Sequence, residues 1–124
     1  MSCIFCEISR NDSKNQVIKR YSSNELLYNT EVVVFEPLNP CVEGHLLFVP
    51  TVHIDKFGDI KSIAPNIVAA VNKAVSLYLQ EFPTDCNIIT NNGAIADQTV
   101  FHLHTHLIPR TVGDNVQLPW SYQH

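Results

Sequence analysis

Apolar and polar side chains alternate most clearly between Phe101 and Leu107. On a period of two, Phe101, Leu103 and Leu107 fall on one side while His102, His104 and His106 fall on the other. The β-branched and aromatic residues Thr99, Val100, Phe101, Thr105 and Ile108 favour an extended chain. The run therefore reads as a strand with Phe101, Leu103 and Leu107 turned to the core, ended by Pro109. From 60 to 82 the period lengthens. Ile60, Ile63, Ala64, Ile67, Val68, Val71, Ala74, Val75, Tyr78, Leu79 and Phe82 recur at three- and four-residue spacing, the stripe of one long amphipathic helix. Ser62 reads as its N-cap, Pro65 is tolerated in its first turn, and Pro83 closes it. Residues 17–19, 26–28, 32–35, 46–49 and 87–90 read as β, 11–14, 21–24 and 91–97 as turn or loop, and 37–40 as a rigid turn. Strands that follow one another largely without helices between them imply an antiparallel sheet. The long helix would pack on its apolar face, giving an α+β fold.

At 124 residues and 45% apolar content, with no repeat or linker, residues 1–124 are expected to form a single domain. No apolar run approaches the ~20 residues of a membrane-spanning helix, and the first thirty residues lack the apolar stretch of a signal peptide, so a cytoplasmic protein without membrane association is expected. Eight Lys and Arg residues in a chain of net charge −4 form no basic cluster, which argues against nucleic-acid binding. An anionic ligand would have to be held locally, by histidines, backbone N–H groups or Arg110. Of the four cysteines, Cys3 and Cys6 stand at C-x₂-C spacing, which serves either as half a zinc site or in redox chemistry, whereas Cys41 and Cys86 read as buried packing residues.

Three imidazoles on one face of a strand can divide labour near neutrality, because a neutral ring attacks while a neighbour donates a proton. For a substrate with a scissile bond at the α-phosphorus, the central His104 is the best-placed nucleophile. The pattern His-x-His-x-His, preceded by Gln98-Thr99-Val100-Phe101, resembles the signature of the histidine triad (HIT) nucleotide hydrolases and transferases. Asn91-Asn92-Gly93, the run Gly44-His45-Leu46-Leu47-Phe48-Val49-Pro50 with His53, and Cys3-Ile4-Phe5-Cys6 extend the resemblance over nearly the whole chain.

The resemblance implies a HIT-like α+β fold with an antiparallel sheet of about five strands, one long helix and a short N-terminal helix. It assigns the nucleophile to His104, places His106 facing the phosphate, and brings His45 in from the neighbouring strand. Asn91, Gln98 and Thr99 match positions that reach the α-phosphate or leaving group, with Thr99 where many members have Ser, while Phe5, Phe35 and Leu38 would wall the nucleoside. Many members place an Asp for the ribose hydroxyls where this chain has Pro37, which offers no side-chain acceptor; Glu36 or Asn39 would substitute, or sugar recognition would be looser. Similarity to the zinc-bearing branch completes the Cys3–Cys6 pair with His53 and His102, a closed Cys₂His₂ set for structural zinc. With no carboxylate cluster beside the triad, no Mg²⁺ requirement is expected. Three readings follow: a hydrolase of nucleoside phosphoramidates or nucleotidyl conjugates that releases a nucleoside monophosphate through a nucleotidyl-histidine, a dinucleoside polyphosphate hydrolase, or a nucleotide- or partner-binding module with weak catalysis. The expected partners are a purine nucleotide or nucleotidyl conjugate and a second copy of the chain. The homodimer is implied by the family, and the aromatic tail 118–122 would gain burial against the partner.

Overall fold

A computed structural model describes residues 3–10, 16–59 and 64–119. In chain order the elements are α1 (Ile4–Arg10), β1 (Val17–Tyr21), α2 (Ser23–Leu26), β2 (Val32–Phe35), β3 (Leu46–Pro50), α3 (Ala64–Glu81), β4 (Cys86–Ile89) and β5 (Thr105–Pro109), with a 3₁₀ turn at Ala94–Ala96 before β5. The five strands form one antiparallel sheet in the order β1-β2-β3-β5-β4, so the fold is the expected HIT-like α+β arrangement. The expected turn at 11–14, the N-cap Ser62, the stripe members Ile60 and Ile63, and tail residues 120–122 lie outside the described residues. Among the described residues no helix is long and apolar enough to cross a membrane.

Both faces of the sheet are covered. Val32, Val34, Leu46, Phe48, Leu103 and Leu107 pack against Ile67, Ala70, Val71, Ala74 and Val75 of α3. The opposite face carries a smaller cluster, in which Phe5 and Ile8 of α1 meet Val33, Phe35, Leu47 and Val49. Period-two alternation thus sends β2 and β3 side chains into two separate cores, which is why both strands are buried along their whole length. The histidine row lies on the α1 side.

The structure corrects four readings of the sequence. Residues 26–28 form no strand; α2 occupies 23–26, started by a capping box in which Glu25 N–H donates to Ser22 Oγ (3.1 Å) and Ser22 N–H to Glu25 Oε1 (3.0 Å). The motif Ser22-Ser23-Asn24-Glu25 carried that signal. The histidine strand begins only at Thr105, and Phe101, 45% exposed, is not a core residue. Pro50 has no N–H for the ladder and its carbonyl accepts from His102 Nε2 (2.7 Å), so Leu103 N–H turns instead to Ile54 O (2.6 Å). Cys41 is exposed rather than buried, while Cys86 is only partly buried against the α3 core. The β4 strand starts one residue earlier than its pattern suggested.

Candidate active site and metal centre

Cys3 precedes α1 and its sulfur accepts the Cys6 N–H (3.4 Å), while His53 lies in the loop after β3 and His102 just before β5. The ligand atoms of these four residues all lie within 4.8 Å of one another. His102 Nδ1 stands 3.5 Å from Cys3 Sγ, 3.4 Å from Cys6 Sγ and 3.1 Å from His53 Nδ1, which is itself 3.3 Å from Cys6 Sγ. The opposite nitrogens are already committed. His102 Nε2–H donates to the Pro50 carbonyl, and His53 Nε2–H to the Asp55 carboxylate at 2.7 Å. Both Nδ1 atoms are therefore left as bare lone pairs facing each other and two sulfurs, an arrangement that a cation between them satisfies. Tetrahedral bonds of zinc length put two nitrogens about 3.3 Å apart and a nitrogen and a sulfur about 3.6 Å apart. The residues fit the ion. Asp55, which the sequence reading missed, orients His53; the pattern His53-Ile54-Asp55 could have shown it.

The remaining histidines form a chain of fixed polarity. His104, 6% exposed, has its Nδ1 2.8 Å from the His102 carbonyl. A carbonyl only accepts, so Nδ1 carries the proton and Nε2 keeps its lone pair. Burial lowers the His104 pKa, which keeps the ring neutral. Gly44, at φ +88°, turns the chain into β3 and sets His45 at its start; a Cβ there would stand 3.2 Å from Pro109 Cγ. The Cys41 N–H donates to His45 Nδ1 (3.0 Å), so His45 Nε2 bears the proton and gives it to His106 Nδ1 at 2.9 Å. His106 Nε2–H is then the free donor at the end of the chain. Burial, followed by the neighbouring His104 and His45, pushes His106 down to about 4, and burial lowers His45.

His45, His104 and His106 open into a cleft of about 900 Å³ with Phe5, Phe35, Leu38 and Thr99 among its lining. Phe5 stands edge-on to His104 with ring centroids 5.0 Å apart, and edge-on to Phe35 at 5.4 Å. Pro37 is part of the wall, and the exposed Glu36 and Asn39 flank it. Apolar lining that the sequence reading did not name comes from Ile4, Ile8, Ile18, Leu47 and Val100. Asn91 and Gln98 are not among the lining residues. Asn91 Nδ2 reaches the Asp97 carbonyl (3.5 Å), while Gln98, 3% exposed, spends its amide on backbone groups.

The Arg110 guanidinium is already engaged within the fold. Its Nε and Nη2 grip the Asp114 carboxylate at 2.8 and 3.1 Å, and Nη1 donates to Asn87 Oδ1 at 2.7 Å. Other cations are engaged elsewhere: Arg10 with Thr51 O, Lys19 with Glu81, Arg20 with Glu31, and Lys73 with Leu26 O. Among the described residues the cleft is lined by no Lys or Arg, and Glu36 carries its one carboxylate. In the ligand-free protein an incoming phosphate faces neutral imidazoles and hydrogen-bond donors.

The HIT domain model matches residues 19–113. An uncharacterized HIT-like protein of Methanocaldococcus jannaschii is 34% identical over 114 residues, covering 90% of this chain and 81% of its own. The adenosine 5'-monophosphoramidase of Schizosaccharomyces pombe is 32% identical over 115 residues, covering 89% and 75%. Among solved structures, a zinc-bound histidine triad family protein from Mycobacterium smegmatis superimposes with a TM-score of 0.67 at 30% identity, covering 95% of this chain and 81% of that one. With a domain match over most of the sequence, two relatives aligned along nearly all of it and the same fold in a solved member, this chain belongs to the HIT family.

Proposed function

We propose that this protein, acting as one domain, hydrolyses nucleoside phosphoramidates or related nucleotidyl conjugates at the α-phosphorus through a nucleotidyl-His104 intermediate. The observation that carries this reading is the bare, buried Nε2 lone pair of a neutral His104, fixed by the His102 carbonyl and open to the cleft. The likeness to a monophosphoramidase supports the substrate class. Charge favours it over dinucleoside polyphosphates, because each added phosphate would bring further negative charge into a cleft whose described lining holds no cation. A phosphoramidate carries a single charge there.

A phosphoryl anion beside the row raises the pKa of the neighbouring imidazoles, so a proton taken up with substrate rests on the His106–His45 pair. As His104 Nε2 bonds to phosphorus, the P–N bond breaks and the leaving nitrogen takes that proton. His106 then accepts a proton from water as its oxygen bonds to phosphorus and the P–Nε2 bond breaks. Nucleoside monophosphate and a regenerated His104 result. Thr99 borders the leaving-group side, and Phe5, Phe35 and Leu38 take the nucleoside, a purine. With Pro37 in the wall, sugar selection is loose. Cys3, Cys6, His53 and His102 hold zinc as a closed structural set that fastens α1 to the chain entering β5, and the chemistry uses no Mg²⁺. Edge strand β4, with Ile88 51% exposed beside an apolar groove of about 410 Å³ against α3, is the surface for a homodimer.

The test is rapid quenching of the reaction with a labelled nucleoside phosphoramidate. The native protein should show an acid-labile nucleotidyl adduct that His104→Ala cannot form, with nucleotide affinity held within a few-fold. Turnover by His104→Ala above about a hundredth of native would refute nucleophilic attack by His104, since losing a nucleophile costs several powers of ten.

A further inference from the structure

We infer that Gln98 is a positioning residue that couples the His53 limb of the metal centre to the loop forming one wall of the cleft, and that it does not ligate the phosphate. Its carbonyl Oε1 accepts the Gly93 N–H at 2.8 Å, and its Nε2 donates to Asp55 O at 2.6 Å and Val100 O at 3.0 Å. One amide orientation satisfies all three contacts, because the Gly93 N–H can only donate and the two carbonyls can only accept. No amide proton is left for a ligand, and the side chain is 3% exposed. Gln98 N–H also donates to Gly93 O (3.1 Å), so side chain and backbone together close the loop of residues 93–98 at its neck, where Gly93 takes φ +98°.

The Asp55 contact extends this closure to the metal centre. The residue whose carbonyl receives Gln98 also holds His53 Nε2 through its carboxylate at 2.7 Å. Two further bonds run in parallel: Leu103 N–H to Ile54 O (2.6 Å) and Gly58 N–H to Asn92 Oδ1 (2.6 Å). The segment bearing His53 is thus sewn at three points to the chain bearing Thr99, Val100 and the histidine row. Gln98 is the buried side chain among those ties, and it bonds directly to Val100, a residue of the cleft wall. Through these ties the position of His53, were it to ligate metal, would set the position of that wall. By linkage, loosening the tie weakens the hold on metal.

This inference rests on reading the four ligands as a zinc site and the cleft as the nucleotide site. The experiment follows zinc release from full-length protein into excess chromogenic chelator, alongside kcat and KM for a nucleoside phosphoramidate, in native protein, Gln98→Ala and Gln98→Glu. Both variants should release zinc at least tenfold faster, because Ala removes the tie and Glu sets a carboxylate against two carbonyls. Zinc release within twofold of native, accompanied by a fall in kcat/KM, is the result for a phosphate ligand and overturns the inference alone. A native protein that holds no zinc overturns the metal reading and this inference with it. Should the variants fail to fold, amide exchange in native protein decides: stripping zinc should speed exchange at Gly93 and Leu103 at least tenfold, and unchanged protection overturns the coupling.

Discussion

Replacing His45 with Ala isolates the histidine chain from the nucleophile. His45 touches neither His104 nor α1 through any hydrogen bond described above; it receives the Cys41 N–H at 3.0 Å and donates to His106 Nδ1 at 2.9 Å. That donation is what leaves the His106 proton on Nε2, facing the cleft. Without it, His106 divides between two tautomers, and a part-buried acceptor nitrogen loses its partner, at a cost of about 1–3 kcal/mol. Expressed in the transition state for phosphoramidate cleavage, that is a loss of roughly 5- to 150-fold in kcat, at about 1.36 kcal/mol per tenfold. The loss should depend on the leaving group. A nitrogen must acquire a proton as it departs, whereas a nitrophenolate leaves as an anion and should lose less than about threefold. The assay is single-turnover kinetics with a nucleoside phosphoramidate and the matching nitrophenyl nucleoside phosphodiester. Equal losses on both substrates, or none on the phosphoramidate, would refute the argument that His45 acts by setting the proton on His106.

Protein purified without chelator should carry about one zinc per chain, and elemental analysis finding less than about a tenth of that would remove the site. Joint replacement of Cys3 and Cys6 by Ala should lower the Tm and expose Phe5 and Ile8, the α1 residues of the smaller core; an unchanged Tm would make the cysteines bystanders. Turnover should proceed without added Mg²⁺, and absolute dependence on that ion would contradict a cleft that works with imidazoles alone.

Much of this molecule could be read from residue order, and the readable part has a common character. The stripe at Ile67, Val71, Ala74 and Val75 is buried in α3, and the β-like runs at 32–35 and 46–49 are central strands, because a local period decides which side chains share a face. The histidine spacing likewise brings His104 and His106 to one cleft, whereas the set Cys3, Cys6, His53 and His102, whose ligand atoms lie within 4.8 Å of one another, was implied by the family resemblance and not by spacing. Phe101 failed the same rule because Pro50, far away in sequence, ends the ladder that would have carried it.

Which atom of each side chain is available was decided only by tertiary structure. His102 receives its tautomer from Pro50, 52 positions away, and His106 from His45, 61 away. Arg110 and Gln98, both candidates to hold a phosphate, are occupied by Asp114 and Asn87 and by Asp55, Gly93 and Val100. Sequence supplies the residue types and the periodic placement of their side chains, since both follow from local backbone geometry. The direction of a hydrogen bond and the commitment of a donor depend on which distant groups lie within about 3 Å, and long-range packing alone sets that.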